Sequence, residues 1–417
     1  MADAPRPTPG GPAVAREPVA DAGAASEAAG DVPGEGGPSA AVRAGWSRLP
    51  ESVRATLPLW LGSRIAVALL SLAAARALTP GSARSAPGLR TLWDRWDVGL
   101  FTKVARHGYL SPAYSDRTEV DFPGLPLAIR LVHLVVRDWI AAGLIVSLLA
   151  GVVTAAALWR LAADEVGERD ARFAVVSLIC FPYAVFLFAA YSEGVFLAFA
   201  TASWLAARRE RWWLAGLLGA GAASARISGV AFGVALAVQY VVSRRAAGRP
   251  VLAWPALSLA LPPIPVVAYL GYLRVRTGGW GSYTDAMRVG WHREVDWPWS
   301  GWSATWSAAV DGDGQSAFVW FWRGELLAVV VGVALTIALL VGRRWGEATF
   351  LGVMTAIMAC TNYYASGIRG ILVAFPLYLM LARLAARWPW VASTYLCVCG
   401  PVMVAFVVAF TQGKWVD

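Results

Sequence analysis

Apolar residues in this chain fall in long runs separated by short arginine-bearing breaks, from about residue 57 to residue 411. The first run, Leu57 to Leu78, is long enough to cross the roughly 30 Å hydrocarbon layer of a bilayer. Further runs follow at 139–160, 172–189, 193–207, 212–225, 227–243, 252–275, 325–342, 347–364, 369–387 and 391–411. The pattern predicts an all-α polytopic membrane protein of about eleven transmembrane helices. The run from Phe122 to Val136 is cut by Pro123 and Pro126. It predicts an interfacial or re-entrant piece. Residues 212–225 and 227–243 divide at Arg226, and the first of the pair is short for a straight crossing. Residues 1 to about 45 are rich in Pro, Gly and Ala without apolar periodicity, which predicts a disordered tail. The tail has no h-region, so the first run is expected to act as the insertion signal. The chain divides accordingly into a cytoplasmic tail, 1–47, and one membrane domain, 48–417.

Charge placement orients this arrangement. Arg43, Arg48 and Arg54 precede the first run and hold the N-terminus in the cytoplasm. Arg64, inside that run, is expected to snorkel toward the same end. With eleven crossings, Arg208, Arg209 and Arg211, then Arg244, Arg245 and Arg249, Arg343 and Arg344, and Arg383 and Arg387 all fall on the cytoplasmic side. The extracytoplasmic side then collects a large first loop carrying interfacial helices, Tyr191-Ser192-Glu193, the turn at Arg226, the loop 276–324, and the turn from Thr361 to Arg369. Ionisable groups at the membrane edge cost a few kcal/mol and mark candidate sites. The 276–324 loop holds Trp280, Trp291, Trp297, Trp299, Trp302 and Trp306. Rings of this kind lie at the headgroup level or stack on sugars. The interfacial reading is preferred for most of them.

Composition agrees with a membrane protein. Of the 417 residues 58% are hydrophobic and only 15% charged. The net charge of +9 lies mainly in loops that set orientation, which argues against nucleic acid as a partner. Cys180, Cys360, Cys397 and Cys399 sit in or beside apolar runs and read as packing residues. His107, His133 and His292 are scattered, which gives a histidine metal site no support. No Walker loop, dinucleotide fingerprint, or serine or cysteine nucleophile with its base is readable.

The stretch from Trp93 to Tyr109 carries the densest candidate chemistry. As a helix from Trp93, it places Trp93, Trp96, Leu100, Phe101 and Val104 on one apolar face, with Arg95, Lys103 and Arg106 turned away. Such a helix would lie in the interface. Asp97 falls inside the apolar face and Asp94 on its flank. A desolvated carboxylate is a better base. Asp97 reads equally as the N-cap of a helix from Val98 to His107 stopped by Gly108, and the two roles can coexist. Arg226 and Arg369, each at an outer turn, are candidates for holding a phosphate through their forked donors. The alternative is a snorkelling arginine without a ligand; Asn362, Tyr363, Tyr364 and Ser366 beside Arg369 favour function there. Glu193 reads best as a partner for such an arginine, or as a second acid or base.

Taken together, these residues resemble the PIG-V-like family of GT-C glycosyltransferases. Trp96-Asp97, Phe101, Ala105 and His107-Gly108-Tyr109 are similar to that family's signature after the first span. Phe122 to Leu127 (FPGLPL) is similar to its FFPxxPL element. Pro182 through Tyr191-Ser192-Glu193, Ala222 to Gly229 (AASARISG), Trp291 after a Gly-Gly turn, and Ser366 to Leu377 (SGIRGILVAFPL) continue the likeness in order, over about residues 55 to 390. Asp121 departs from it, standing where a first Phe is usual, and residues 111–121 lengthen the loop.

The resemblance implies a GT-C-like bundle and inverting transfer of mannose from polyprenyl-phosphate-mannose to a glycan, lipid or protein acceptor outside the membrane. The lipid-linked donor is a substrate and would lie among membrane lipids. No cofactor is specified, and a divalent cation is left open. On this resemblance Asp97 is the base and Asp94 its neighbour. Arg226 and Arg369 face the phosphate, supported by Arg106 and His107, with Tyr109, Glu193 and Trp291 as further substrate-binding positions. A transporter or flippase for a lipid-linked or polar solute is the rival reading. It would be expected to show paired interrupted helices and an internal repeat, and no clear repeat is found. Within the enzyme class, a relative using another polyprenyl-phosphate sugar competes.

Overall fold

The computed structural model describes residues 45–78, 87–311 and 319–416. The tail expected over 1–47 lies almost wholly outside the described residues. The chain separates into two units, Met1–Arg48 and Leu49–Asp417.

The helices of the second unit, in order, are α1 (Glu51–Leu78), α2 (Leu89–Trp93), α3 (Asp97–His107), α4 (Gly124–His133), α5 (Trp139–Val166), α6 (Glu168–Ile179), α7 (Ser192–Arg208), α8 (Trp212–Ala225), α9 (Ser228–Ala246) and α10 (Pro263–Thr277). The series continues with α11 (Ser282–Trp291), α12 (Pro298–Trp306), α13 (Val319–Val341), α14 (Trp345–Ala359), α15 (Gly367–Leu372), α16 (Phe375–Arg387) and α17 (Pro389–Thr411). Among the described residues the only strand pairing is an isolated bridge between Val295 and Thr361. The architecture is all-helical.

Five helical segments are long and apolar enough to cross a membrane: Glu51–Leu78, Trp139–Val166, Trp254–Thr277, Val319–Val341 and Pro389–Thr411. They make the chain a multi-pass membrane protein. Eleven crossings do not form. Runs expected to span become α6 (12 residues), α7 (17), α8 (14), α14 (15) and α16 (13). At 1.5 Å per residue these reach roughly 18–26 Å, short of the ~30 Å layer. The nineteen residues of α9 include Gln239 and carry Ser243-Arg244-Arg245 in the last turn, which leaves the helix too polar to qualify. Hydropathy misses the breaks that cut these runs. Pro182 follows α6, and a 3-10 turn at Ala184–Leu187 intervenes before α7. Arg226 is extended between α8 and α9. Ala374 leaves the helical region as the N-cap of α16, with Pro376 in that helix's first turn, a position where its missing amide costs no helical bond.

Of the runs too short to cross, α7 is the innermost. Thirteen of the seventeen residues of α7 are buried, whereas α17 buries only Val407, Phe410 and Thr411. Around α7, the rings of Phe196, Phe350 and Phe375 stack, with centroids 6.2 and 5.6 Å apart. The outer helices wrap this core closely. A Cβ on Gly151 of α5 would overlap the indole of Trp60 on α1, and that indole donates to the Leu148 carbonyl at 3.0 Å. Arg64 does not snorkel: it is 6% exposed, because Trp60 and Phe188 enclose its guanidinium.

The C-terminal end of α7 sits in an ion cluster whose carboxylates are buried and whose arginines are partly exposed. Arg208 Nη1 lies 3.1 Å from Glu165 Oε1 at the end of α5. Arg344, just before α14, forks onto Glu347 at 2.7 Å and also pairs with Glu165. Arg383 of α16 closes the set, 3.4 Å from Glu165 Oε2.

Two local expectations change. Residues 93–107 do not form one helix: the chain breaks after α2, and Trp96 adopts φ 54°. Trp93 is fully buried against Phe188 and Phe410, while Trp96 is 41% exposed and meets Trp415 edge-on. The expected face is therefore split. The 276–324 loop is largely helical, as α11 and α12, with residues 312–318 outside the described residues. Trp280, Trp297, Trp299 and Trp306 are exposed, as rings suited to a membrane interface would be. The piece at 122–136 contains the ten-residue α4, roughly 15 Å and too short to cross.

Candidate functional site

The breaks that shorten the helices meet at one place. Tyr191 ends the irregular stretch before α7, and its hydroxyl accepts from the Asp97 amide at 3.2 Å, seating the start of α3. Trp96 holds the N-cap position there, and Asp97 is the first helical residue. The amides of Val98 and Gly99 bond the Arg95 and Trp96 carbonyls. At the far end Gly108, at φ 79°, stops α3, as the spacing predicts.

Glu193, in the first turn of α7, is fully buried. Two guanidinium groups converge on its Oε1. Arg226 reaches in from the extended link between α8 and α9, bonding Glu193 Oε1 and also Ser192 Oγ at 3.1 Å. Arg369 of α15 donates from Nε at 2.8 Å and approaches with Nη2 at 2.7 Å. Its Nη1 lies 3.4 Å from Asp97 Oδ2. The Arg369 guanidinium is also held over the rings of Phe186 and Tyr191, 4.7 and 4.9 Å from their centroids. Such contacts suit a desolvated cation. α15 is itself anchored: the Gly367 amide donates to the buried Glu325 carboxylate of α13 at 2.6 Å. A Cβ on Gly367 would press on that carboxylate.

Asp121 adds a third carboxyl to the neighbourhood. It is 9% exposed, and its Oδ2 is buried with no hydrogen-bond partner among the described residues. Burial, followed by the negative charge of Asp97, pushes its pKa well above the usual carboxylate range, against the pull of Arg369 and Arg226. A carboxyl in this position holds its proton at pH values where Asp121 in the unfolded chain would have lost it. Between the ordinary value of 3.8 and the raised folded value, the native state binds more protons than the unfolded state, so stability falls as pH rises. Asp121→Asn, which keeps the neutral shape, is expected to remove that slope. Thermal unfolding of both proteins in detergent from pH 4 upward checks this, and an unchanged slope in the variant would refute it.

A cleft of about 600 Å³ opens beside the ion network, bounded by Ile227, Tyr283, Arg288, Arg293, Glu294 and Thr361 among others. Asp97, Glu193, Arg226 and Arg369 do not line it, and two of its wall residues lead toward them. Ile227 follows Arg226, and Tyr283 packs on Phe122, the neighbour of Asp121. Burial pushes the Tyr283 hydroxyl up to about 12, with Arg293 opposing. Two donors here are buried without a hydrogen-bond partner among the described residues, Arg226 Nε and Arg293 Nε.

Of the positions singled out in the sequence, Asp97, Glu193, Arg226 and Arg369 are therefore brought together. Others are not. Asp94 caps α2 with its backbone amide and is exposed. Arg106 and His107 are exposed at the end of α3, where the Arg106 carbonyl meets Arg130. Tyr109 supports the wall, its hydroxyl donating to the Asp121 carbonyl at 2.6 Å. Trp291 ends α11 and offers its carbonyl to the Tyr363 hydroxyl at 2.5 Å. Neither arginine of the pair is uncommitted, because Glu193 binds both.

Asp121, Tyr283 and Arg293 adjoin the site without having been candidates, and Tyr191 was noted only as part of Tyr191-Ser192-Glu193. Asp121 offered a readable signal, a carboxylate between Val120 and Phe122; Arg293 was hidden in a tryptophan-rich segment. Among the described residues, no three His, Cys, Asp or Glu side chains group as a metal site. His133 instead stacks on Trp139 at 3.6 Å. No protein-family model matches the chain, and no curated protein matches it in sequence.

Proposed function

We propose that the protein is an integral-membrane glycosyltransferase that transfers mannose, with inversion, from polyprenyl-phosphate-mannose to a hydroxyl of an acceptor at the extracytoplasmic face of the cell membrane. The observation that carries this reading is the placement of the Asp97 carboxylate. It stands 3.4 Å from Arg369, within a network that also holds Glu193 and Arg226, beside a cleft of sugar-accommodating size. The N-terminus is cytoplasmic on this reading, and the bundle is GT-C-like. Its support is the ordered resemblance from Trp96-Asp97 to Ser366–Leu377 and the meeting of four of its positions.

The chemistry requires a base at the acceptor hydroxyl and positive charge at the departing phosphate. Asp97 takes the acceptor proton as the acceptor oxygen bonds the anomeric carbon. The bond from that carbon to the phosphate oxygen breaks, and its electron pair leaves with polyprenyl phosphate. Arg293, at the wall of the cleft, and Arg226 supply the positive charge at that phosphate. The Arg369–Glu193 pair positions Asp97. A divalent cation is not required by this scheme.

One observation favours the rival reading. Helices interrupted at Arg226 and between α14 and α15, with Arg369 in the short helix that follows the second break, are also how transporters build substrate sites. Membranes containing the protein and polyprenyl-phosphate-mannose labelled in the sugar distinguish the two. The transferase reading expects label to appear in a product that no longer extracts with the donor lipid. Label moved across the bilayer with no transfer would replace it with the flippase reading. Competition by other polyprenyl-phosphate sugars tests the donor.

A further inference from the structure

A buried arginine without an opposite charge among the described residues lies away from the Asp97 network. Arg64 sits near the middle of α1 and is buried, yet it has no ion pair among the described residues. Its Nη1 has no hydrogen-bond partner. Only Ser63 Oγ, at 3.2 Å from Nε, and the faces of Trp60 and Phe188, at 4.1 and 5.8 Å, meet the guanidinium. It lines a cavity of about 280 Å³ between α1, α2, α5 and the 3-10 turn, whose other walls are wholly apolar, Leu61, Ile65, Leu144, Leu148 and Phe188 among them. Leu61 and Ile65 are exposed on the outer surface of α1, so the cavity opens where lipid chains would lie.

The depth of this cavity can be read from α5. That helix starts at Trp139, behind Asp138, whose carboxylate pairs with Arg90 at 3.0 Å, a polar band suited to the headgroup level. Leu144 and Leu148 come five and nine residues after Trp139, roughly 8–14 Å further in. Arg64, near the middle of α1, is thus placed well inside the hydrocarbon layer, and a lipid that reaches it must draw its phosphate inward by roughly that distance. A lone cation there favours an anion that brings its own hydrocarbon. A free hydrated anion would lose its water to walls that offer no other donor.

We propose that this cavity binds a membrane lipid through its anionic phosphate, with Arg64 as counter-ion and one chain lying along Leu61, Ile65 and Leu148. The proposal is independent of the transferase reading. Native mass spectrometry of the purified full chain in detergent tests it, with phosphatidylglycerol and phosphatidylcholine of matched chains as probes and inorganic phosphate as the third arm. Wild type is expected to retain phosphatidylglycerol over phosphatidylcholine by about tenfold, a difference of 1.4 kcal/mol. Arg64→Gln should abolish the preference, and Arg64→Lys should keep most of it. Ala68→Phe, which fills the cavity and leaves Arg64 in place, should lower retention of phosphatidylglycerol. An Arg64→Gln protein with the wild-type preference overturns the proposal. So does inorganic phosphate that displaces the lipid at millimolar concentration, which would indicate a free-anion site. Should Arg64→Gln fail to fold, Ala68→Phe decides: unchanged retention overturns the lipid site.

Discussion

Asp97→Asn is expected to reduce sugar transfer by about 10²- to 10⁴-fold, the contribution typical of a positioned general base, with the fold intact. The side chain of Asp97 is 23% exposed, and Arg369 keeps both contacts with Glu193 when Asp97 loses its charge, so no buried cation is abandoned. The loss should fall on kcat, since an amide of the same shape still fills the space beside the cleft. Asp94→Asn is the matched control. That residue lies three positions earlier, exposed and outside the network, and its substitution should leave transfer within about twofold. Initial rates with labelled donor decide the matter. Full transfer by Asp97→Asn, with loss in Asp94→Asn, would move the base to the other aspartate.

Glu193→Ala carries the largest expected effect on stability. Its Oε1 is shared by Arg226 and Arg369, and all three are enclosed. Removing one member of a buried ion network costs about 3–5 kcal/mol, because the remaining charges stay buried without compensation. Here two guanidinium groups are stranded, and only Arg369 retains another carboxylate, that of Asp97. Arg226→Gln combined with Glu193→Ala should recover part of the loss, since fewer charges remain unmatched. Thermal unfolding of the four proteins of this cycle in one detergent measures the coupling. A Glu193→Ala protein that unfolds like wild type would show that the network contributes little.

The helical, membrane-spanning character of the chain was legible from periodicity alone, because apolar runs register whatever the tertiary contacts. The number of crossings was not. Ser192 to Arg208 reads as one more lipid-spanning run, but its burial on nearly every side comes from α5, α8 and α9, which a hydropathy window cannot see. The site divides in the same way. Asp97, Glu193, Arg226 and Arg369 stood out as charges at the edges of apolar runs, and three-dimensional packing then joined positions up to 272 residues apart. Asp121 and Arg293 did not stand out. The first was seen only as a departure from a motif, and the second depends on the fold of α11 for its place. Arg106 and His107 were attractive for their types, yet they lie on the solvent side of a helix whose register depends on the break at Trp96.

The two ends of α7 are fastened differently from its middle. Glu193 at one end and Arg208 at the other are separated by roughly 22 Å of helix, and each is locked into its own set of opposite charges from different helices. A rod pinned at both tips cannot slide or rock against α5, α14 or α15 without parting one of these sets. A cycle that moved α7 relative to those helices would have to break and remake such a set on every turn. A catalyst served from one side has no such requirement, so its turnover would be governed by the entry of long lipid chains between the outer helices while α7 stays still.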